Sequence, residues 1–213
     1  HTAYTEFQSY RSTSTVATKD FLYGSSVSTV VLHSYISSAS NCNSCHDDVM
    51  FHGGGRRGFD DCILCHSVSG AEDAPKYRYS NALDTTGVTI DFRTMLHKIH
   101  KGKELWYAST YTVIGNSASA HTYDLVGYPA MPGGVKHCSK CHGSNTAYRQ
   151  PSDRTHPDQT TALRRWRSVC GACHDAPDNS AHFELMTSSG VEACMTCHGE
   201  GKLYNVELMH KNR

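Results

Sequence analysis

The stretch Cys42-Asn43-Ser44-Cys45-His46 contains a pattern, Cys-x-x-Cys-His, that organises the whole chain. Four more copies follow: Cys62-Ile63-Leu64-Cys65-His66, Cys138-Ser139-Lys140-Cys141-His142, Cys170-Gly171-Ala172-Cys173-His174 and Cys194-Met195-Thr196-Cys197-His198. Together the five copies use all ten cysteines. Such a pattern is the attachment signature of c-type haem, in which two thiols bond the porphyrin and the following His faces the iron. We therefore predict five covalently attached haem c groups, each with its motif His as the proximal ligand.

Other uses of a Cys-x-x-Cys pair explain this pattern less well. A single copy would also suit a zinc site or a thiol-exchange site. Zinc sites do not require a His directly after every second Cys, and a disulfide framework would not repeat one two-residue gap five times. The repetition favours haem attachment over all three.

The composition indicates that the haems form the core. Five haems in 213 residues leave about 43 residues for each, and the hydrophobic content of 38% is below the usual range for a globular domain. Porphyrin surface can supply the missing buried apolar area. The predicted fold class is a multihaem cytochrome, mostly coil, with short α-helices packed around five c-type haems and little β-sheet.

Charge and hydropathy exclude several partners. The 20 basic and 20 acidic residues cancel, which gives no support for binding to nucleic acid or to an anionic membrane. No apolar run approaches the roughly 18 residues that a spanning helix needs, so the chain is not expected to be membrane-inserted. The sequence begins at His1 without a signal-peptide core, as expected of a processed, exported chain, and no Cys remains for a lipid anchor.

The chain divides into two parts. Residues 1–40 contain no Cys and many Ser and Thr, and we predict an extended N-terminal arm that docks on its own body or contacts another subunit. Residues 41–213 hold all five motifs and form the predicted pentahaem c-type cytochrome domain.

The clearest predicted helix begins after Asp91 and ends at Gly102. An apolar stripe of Phe92, Met95, Leu96 and Ile99 runs along it. His97 and His100 project about 60° apart on one flank of that stripe. Two imidazoles so placed cannot ligate one iron from opposite sides, but they can serve two adjacent haems. Two solvated histidines are the alternative interpretation.

The His inventory favours six-coordinate iron. Fifteen His less the five in the motifs leave ten for five distal positions, so bis-His ligation is available at every haem without any of the six Met. Such haems have no vacant site, which favours electron transfer over catalysis. The candidates from position alone are His52 in the Gly-rich loop after the first motif, His97, His100, His182 and His210. The reserve candidates are His121, His33 and His1, with a surface role favoured for His121. Aromatic residues between 103 and 135 are expected to pack on porphyrin or to form a contact surface.

Several segments resemble one pentahaem module of the outer-membrane decahaem cytochromes of the OmcA and MtrC family. The resemblance lies in the motifs and in these segments: Phe51-His52-Gly53-Gly54 with Arg56, Ile90-Asp91-Phe92-Arg93, His97-Lys98-Ile99-His100, Tyr128-Pro129, His182, Gly199-Glu200-Gly201-Lys202 and His210. It implies bis-His haems in closely spaced pairs and electron delivery to extracellular minerals, flavins or redox partner proteins. It also implies a distal ligand set: His52, His97, His100, His182 and His210.

The chain departs from that family in having five haem motifs rather than ten, a Ser/Thr-rich arm and no spare Cys. The leading hypothesis is therefore a secreted or cell-surface electron-transfer protein without a dedicated catalytic activity, polymerised through the arm into a conductive filament. A monomeric shuttle in the periplasm or at the cell surface is an alternative. Two other classes stay open: a reductase of a small oxyanion, which needs a five-coordinate haem, and a structural protein that uses haems as staples.

Overall fold

The computed structural model describes residues 16–17, 19–24, 29–30, 37–66, 73, 81–115, 118–129, 132–149 and 165–211. Most of the predicted arm, including His1 and His33, lies outside the described residues. The docking of the arm and the boundary at residue 40 therefore stay predictions.

Short helices and small sheets alternate along the chain. The α-helices are α1 (Ala39–His46), α2 (Gly58–Ile63), α3 (Phe92–Lys101), α4 (Ser139–His142), α5 (Arg165–Gly171), α6 (Pro177–Leu185), α7 (Met195–His198) and α8 (Val206–Met209). The strands are β1 (Met50–Phe51), β2 (Arg56–Arg57), β3 (Thr112–Ile114), β4 (Ala120–Thr122), β5 (Thr187–Ser188) and β6 (Val191–Glu192). They form three two-stranded antiparallel hairpins, β1–β2, β3–β4 and β5–β6. The described residues thus have the short helices and small amount of sheet that the sequence predicts, and none of their helices is both long and apolar enough to cross a bilayer.

Helix α3 begins and ends as predicted. The Asp91 carboxylate accepts hydrogen bonds from the backbone N–H and the hydroxyl of Thr94, both at 3.0 Å. At the other end Gly102 has a φ of 46°, a conformation that favours glycine. A Cβ at this position would also overlap the Val126 carbonyl oxygen. Both ends of α3 are therefore set by local chemistry that is legible in the sequence.

Each motif forms a turn of helix around its own residues. The backbone N–H of the motif His donates to the carbonyl of the first Cys four residues earlier, for example from His142 to Cys138 at 2.9 Å and from His174 to Cys170 at 2.8 Å. In a helical turn, positions i, i+3 and i+4 share one face. Both thiols and the imidazole of a motif therefore project to the same side.

The described residues bury little of their own apolar surface. Among the described residues, the buried hydrophobic side chains are Leu105, Tyr111, Trp166 and Ala172, and no large side chain is fully buried. Apolar side chains inside and beside the motifs are exposed instead, including Leu64 at 61% and Met195 at 46%. This distribution is consistent with a core that is completed by porphyrin rather than by protein.

The segment between α3 and α4 differs from the prediction, because it contains the β3–β4 hairpin. Tyr111 does not form a contact surface: it is buried against Tyr123, with ring centroids 6.2 Å apart, and its hydroxyl donates to the Thr89 carbonyl at 3.1 Å. Trp106, at 69% exposure, is by contrast open. Alternating strands of three residues are too short to give a clear period-two signal, which explains why the hairpin was not predicted.

Candidate haem sites

The structure brings every motif His against one distal candidate. The five pairs, with the distances between their ring centroids, are His46 and His100 (6.0 Å), His52 and His66 (6.1 Å), His97 and His142 (6.4 Å), His174 and His210 (6.0 Å), and His182 and His198 (6.2 Å). Each pair joins one motif His to one member of the set that the family resemblance implies. His97 and His100, one helical turn apart on α3, face the third and the first motif respectively.

These distances fit two imidazoles on opposite sides of one metal ion. Two metal–imidazole bonds of about 2 Å, with about 1.2 Å from each bonding nitrogen to its ring centroid, place the centroids about 6.4 Å apart. Parallel rings in direct contact would be much closer, since carbon atoms touch at about 3.5–4.0 Å. The angle between ring planes varies from 20° to 84°. That variation is compatible with a common axis, because rotation about the axis changes the angle without changing the distance.

Hydrogen bonds at Nδ1 orient one or more imidazoles in each pair. The acceptors are backbone carbonyls at 2.7–2.8 Å: Ile90 for His66, Arg93 for His97, Leu96 for His100, Tyr204 for His198 and Val206 for His210. A neutral imidazole that donates from Nδ1 keeps the lone pair of Nε2 for a metal, and this arrangement is usual for metal-bound His. The local fold thus prepares Nε2 of these residues for ligation.

Burial also favours the neutral imidazole at two sites. It lowers the pKa of His97 despite the bond to the Arg93 carbonyl. It likewise lowers the pKa of His174, and the nearby His210 adds to the effect. Neutral imidazole is the form that binds metal.

Several of the motif cysteines have thiols with a raised pKa. All ten are free, without a disulfide between them. Burial raises the pKa of Cys170 to about 12 and of Cys173 to about 11, and it also raises the pKa of Cys42, Cys62 and Cys138. Thiol exchange requires a thiolate with a lowered pKa. The raised pKa values of these thiols therefore argue against a thiol-exchange site.

The ligands converge in pairs rather than in closed shells. Across the described ranges, no group of three or more His, Cys, Asp or Glu side chains has the geometry of a metal site. A structural zinc site would need four protein ligands around one point. A porphyrin supplies four equatorial nitrogens itself, so paired His and free Cys fit haem c as the group to be held.

Contacts between motifs show which sites are neighbours. Helix α1 of the first motif packs on α4 of the third: the Ser37 hydroxyl donates to the Cys141 carbonyl, and a Cβ at Gly143 would meet the Asn41 side chain at 3.2 Å. The charge of Cys42 adds to burial in raising the pKa of both Cys62 and Cys141. The first motif therefore lies between the second and the third.

Contacts around the third, fourth and fifth motifs show the same kind of adjacency. Cys138 adds to burial in raising the pKa of Cys173, and Cys194 does so for Cys170. Asp175, directly after the fourth motif, accepts the backbone N–H groups of Trp106 at 2.8 Å and Tyr107 at 2.9 Å, which ties the fourth site to the segment after α3. These contacts make neighbours of the third and fourth sites and of the fourth and fifth sites.

Among the reserve candidates, His121 lies away from these pairs. It is on β4, and its Nε2 is 2.9 Å from the Ser119 hydroxyl. His1 and His33 lie outside the described residues.

Two residues beside the sites, His137 and Tyr148, were not predicted. The Tyr148 ring stacks on His142 with centroids 5.0 Å apart, and Nδ1 of His137, just before the third motif, is buried without a hydrogen bond in the described structure. Tyr128, one of the aromatic residues expected to pack on porphyrin or to form a contact surface, lies edge-on against His100, with ring centroids 6.1 Å apart. The signal that could have found His137 and Tyr148 is their position beside the third motif in the sequence. The contact of Tyr128 with His100 depends on tertiary packing.

Comparisons with known proteins identify the family of the chain. A family model described as outer membrane cytochrome MtrC/MtrF-like, domains II/IV, matches residues 34–211. The crystal structure of the outer membrane decaheme cytochrome OmcA is similar, with 25% sequence identity and a TM-score of 0.50 over 84% of this chain and 24% of that chain. The chain therefore spans about a quarter of that relative, and a search of curated proteins gave no match. The family match covers most of the chain and confirms the resemblance seen in its motifs: the protein belongs to the family of MtrC/MtrF-like outer membrane cytochromes.

Proposed function

We propose that the chain holds five covalently attached haem c groups, each ligated on both sides by one of the five His pairs. The carrying observation is that every motif His lies 6.0–6.4 Å, centroid to centroid, from a different distal His. In this proposal the five motif His are the proximal ligands, and the five His that the family resemblance implies are the distal ligands. His100 serves the first haem, His52 the second, His97 the third, His210 the fourth and His182 the fifth.

Electron transfer is the function that this coordination supports best. The five His pairs would hold the haems and leave no position at iron for substrate, and ligation by two imidazoles would give relatively low potentials. The haems would supply one-electron redox chemistry in which no bond is made or broken. A dedicated catalytic activity is not part of the proposal.

We infer from these contacts that the haems form a row in the order second, first, third, fourth, fifth, which gives the proposed conductor two ends. The second and the fifth haem are terminal, and the first, third and fourth lie between them. Helix α3 supports the middle of the row, because it supplies the distal ligands of two neighbouring haems from one rigid element. Electrons would enter at one terminal haem and leave at the other.

We propose that the protein acts at the cell surface or in the extracellular space; its relatives are described as outer membrane cytochromes. The proposed partners are redox proteins or extracellular acceptors such as minerals and flavins. Support comes from the family membership and from terminal haems at both ends of the row.

The test combines mass, spin state and kinetics on the holoprotein. Intact mass should show five added haems, and electron paramagnetic resonance of the ferric protein should show low-spin bis-His haems throughout. Stopped-flow reduction should then show rapid redistribution of electrons among the five. Fewer than five haems, or a high-spin ferric signal as the rule, would contradict the proposal and favour the oxyanion reductase. Slow transfer between haems would favour a structural role.

A filament of many copies is the proposed higher assembly. Its support is the Ser/Thr-rich arm together with His1 and His33, which the five pairs leave unused and which could ligate a haem of a neighbouring copy. Sedimentation and negative-stain microscopy at high concentration should show linear polymers. Monomers alone would remove the filament and leave the electron-transfer proposal for a single shuttle.

A further inference from the structure

The five distal His are held by different kinds of backbone. His97 and His100 share the ten-residue helix α3, and His182 lies within the nine-residue helix α6. His210 ends the four-residue helix α8, whose Glu207 pairs with Arg149 at 3.1 Å. His52 differs, because it lies in the turn between the two-residue strands β1 and β2. Of the five, only His52 is neither within a helix nor, among the described residues, hydrogen-bonded through Nδ1 to a helix carbonyl, as His210 is to Val206.

The backbone at His52 is strained. Its φ is 53°, in the left-handed region that residues with a side chain rarely adopt. Gly53 and Gly54 follow with φ of 68° and 80°, so two adjacent glycines can absorb a change of direction. Releasing the His52 side chain from its site would allow this strain to relax.

Hydrogen bonds hold the base of the β1–β2 hairpin more firmly than its tip. Arg57 donates to the Asp48 carboxylate at 2.7 Å and to the Met50 sulfur at 2.8 Å, and the Gly58 N–H donates to the Val49 carbonyl at 3.2 Å. At the tip, the hydrogen bonds are those of the turn, from Gly54 to Phe51 and from Gly55 to His52, and one from the Arg56 guanidinium to the Gly55 carbonyl at 2.8 Å. Within the described residues, no hydrogen bond holds the His52 ring, whereas Nδ1 of His97, His100 and His210 is anchored to a carbonyl.

We propose that the second haem, bonded to Cys62 and Cys65, is a ligand-exchange site at which a small π-acceptor replaces the His52 imidazole. The inference rests on the proposed function and adds a binding site to it. In the exchange, the bond from iron to His52 breaks and a bond from iron to the incoming ligand forms. The oxidation state of the iron does not change, and no proton is required. Because this haem is terminal, the exchange leaves the other four haems connected.

Carbon monoxide added to the dithionite-reduced holoprotein tests the site. The wild type should bind one carbon monoxide per chain, slowly, at a rate that stops rising at high concentration because release of His52 limits it. His52→Ala should still bind one per chain, at least about tenfold faster, since the same haem is open in advance. His182→Ala should bind two, because it opens the fifth haem in addition to the second.

A pair of glycine variants tests the hairpin without touching a ligand. Gly53→Ala adds a Cβ that meets nothing within 4 Å but disfavours the φ of 68°, so exchange should be about fivefold faster than in the wild type. Gly190→Ala is the matched control: it has a φ of 80°, has nothing within 4 Å, and lies in the β5–β6 turn, which carries no ligand. Its exchange rate should equal that of the wild type.

The outcomes separate this inference from the function on which it rests. No binding by the wild type, two carbon monoxide molecules bound by His52→Ala, or equal rates for Gly53→Ala and Gly190→Ala would each overturn the exchange site. The second of these would assign the labile ligand to another haem, with His210 next in line. In all three cases low-spin bis-His spectra of the ferric wild type would leave the electron-transfer proposal standing. High-spin ferric haems as the rule would overturn both.

Discussion

Single imidazoles are oriented here by one recurring hydrogen bond, from Nδ1 to a backbone carbonyl. On helices α3 and α8 the acceptor is the carbonyl four residues earlier, as in His97 to Arg93 at 2.7 Å and His210 to Val206 at 2.8 Å. That carbonyl lies directly below the side chain along a helix. A His on a helix face therefore acquires its orientation locally and presents Nε2 outward.

Replacement of one distal ligand should open one haem. In His97→Ala the haem of the third motif loses its sixth ligand, so one of five ferric haems should change from low spin to high spin. Electron paramagnetic resonance of the holoprotein measures the fraction. His121→Ala is the control and should leave all five low-spin, because that ring contacts Ser119. Five low-spin haems in His97→Ala would remove His97 from the ligand set.

Helix α3 carries the distal candidates of two neighbouring sites, His97 and His100. Asp91→Ala removes the cap bonds to Thr94 and should lower the free energy of unfolding by about 1 kcal/mol. Guanidinium denaturation of the holoprotein measures the change. Glu104→Gln, which breaks the exposed ion pair with Lys101, should cost less than about 0.5 kcal/mol. Equal effects of the two variants would contradict the importance of the cap.

The end of α3 should be still less tolerant of change. Gly102→Ala introduces a Cβ that overlaps the Val126 carbonyl oxygen, in addition to the strain of a positive φ. Gly201→Ala also has a positive φ, 72°, but its Cβ meets nothing within 4 Å. Thermal unfolding of the two holoproteins should therefore differ by about 2 kcal/mol, with Gly102→Ala the less stable. A difference near zero would show that Val126 moves aside easily.

In the proposed row of haems, the effect of removing one haem should depend on its position. Cys138→Ala with Cys141→Ala removes the central third haem, whereas Cys62→Ala with Cys65→Ala removes the terminal second haem. Intact mass should show four haems in both. After partial reduction, electrons should redistribute among all four haems in the second variant but within two separate pairs in the first. Full redistribution in both would contradict the spatial order.

Stability should follow the same order. The described residues bury few hydrophobic side chains of their own, so each haem contributes a large share of the apolar surface removed from water. A central haem is enclosed by neighbours on both sides, whereas a terminal haem has one neighbour. The variant without the third haem should therefore melt at a lower temperature than the variant without the second, as measured by circular dichroism.

The sequence by itself predicted the attachment residues and the proximal His and determined helix α3, because each depends on residues at most a few positions apart. A Cys at i, a second at i+3 and a His at i+4 meet on one face whatever the rest of the fold does, and Asp91 and Gly102 delimit α3 through their own neighbours. The tertiary structure decided which distal His meets which motif and the order of the sites. His97 and His142, or His46 and His100, are brought together by the packing of separate helices, and no local rule of spacing reaches across such distances along the chain.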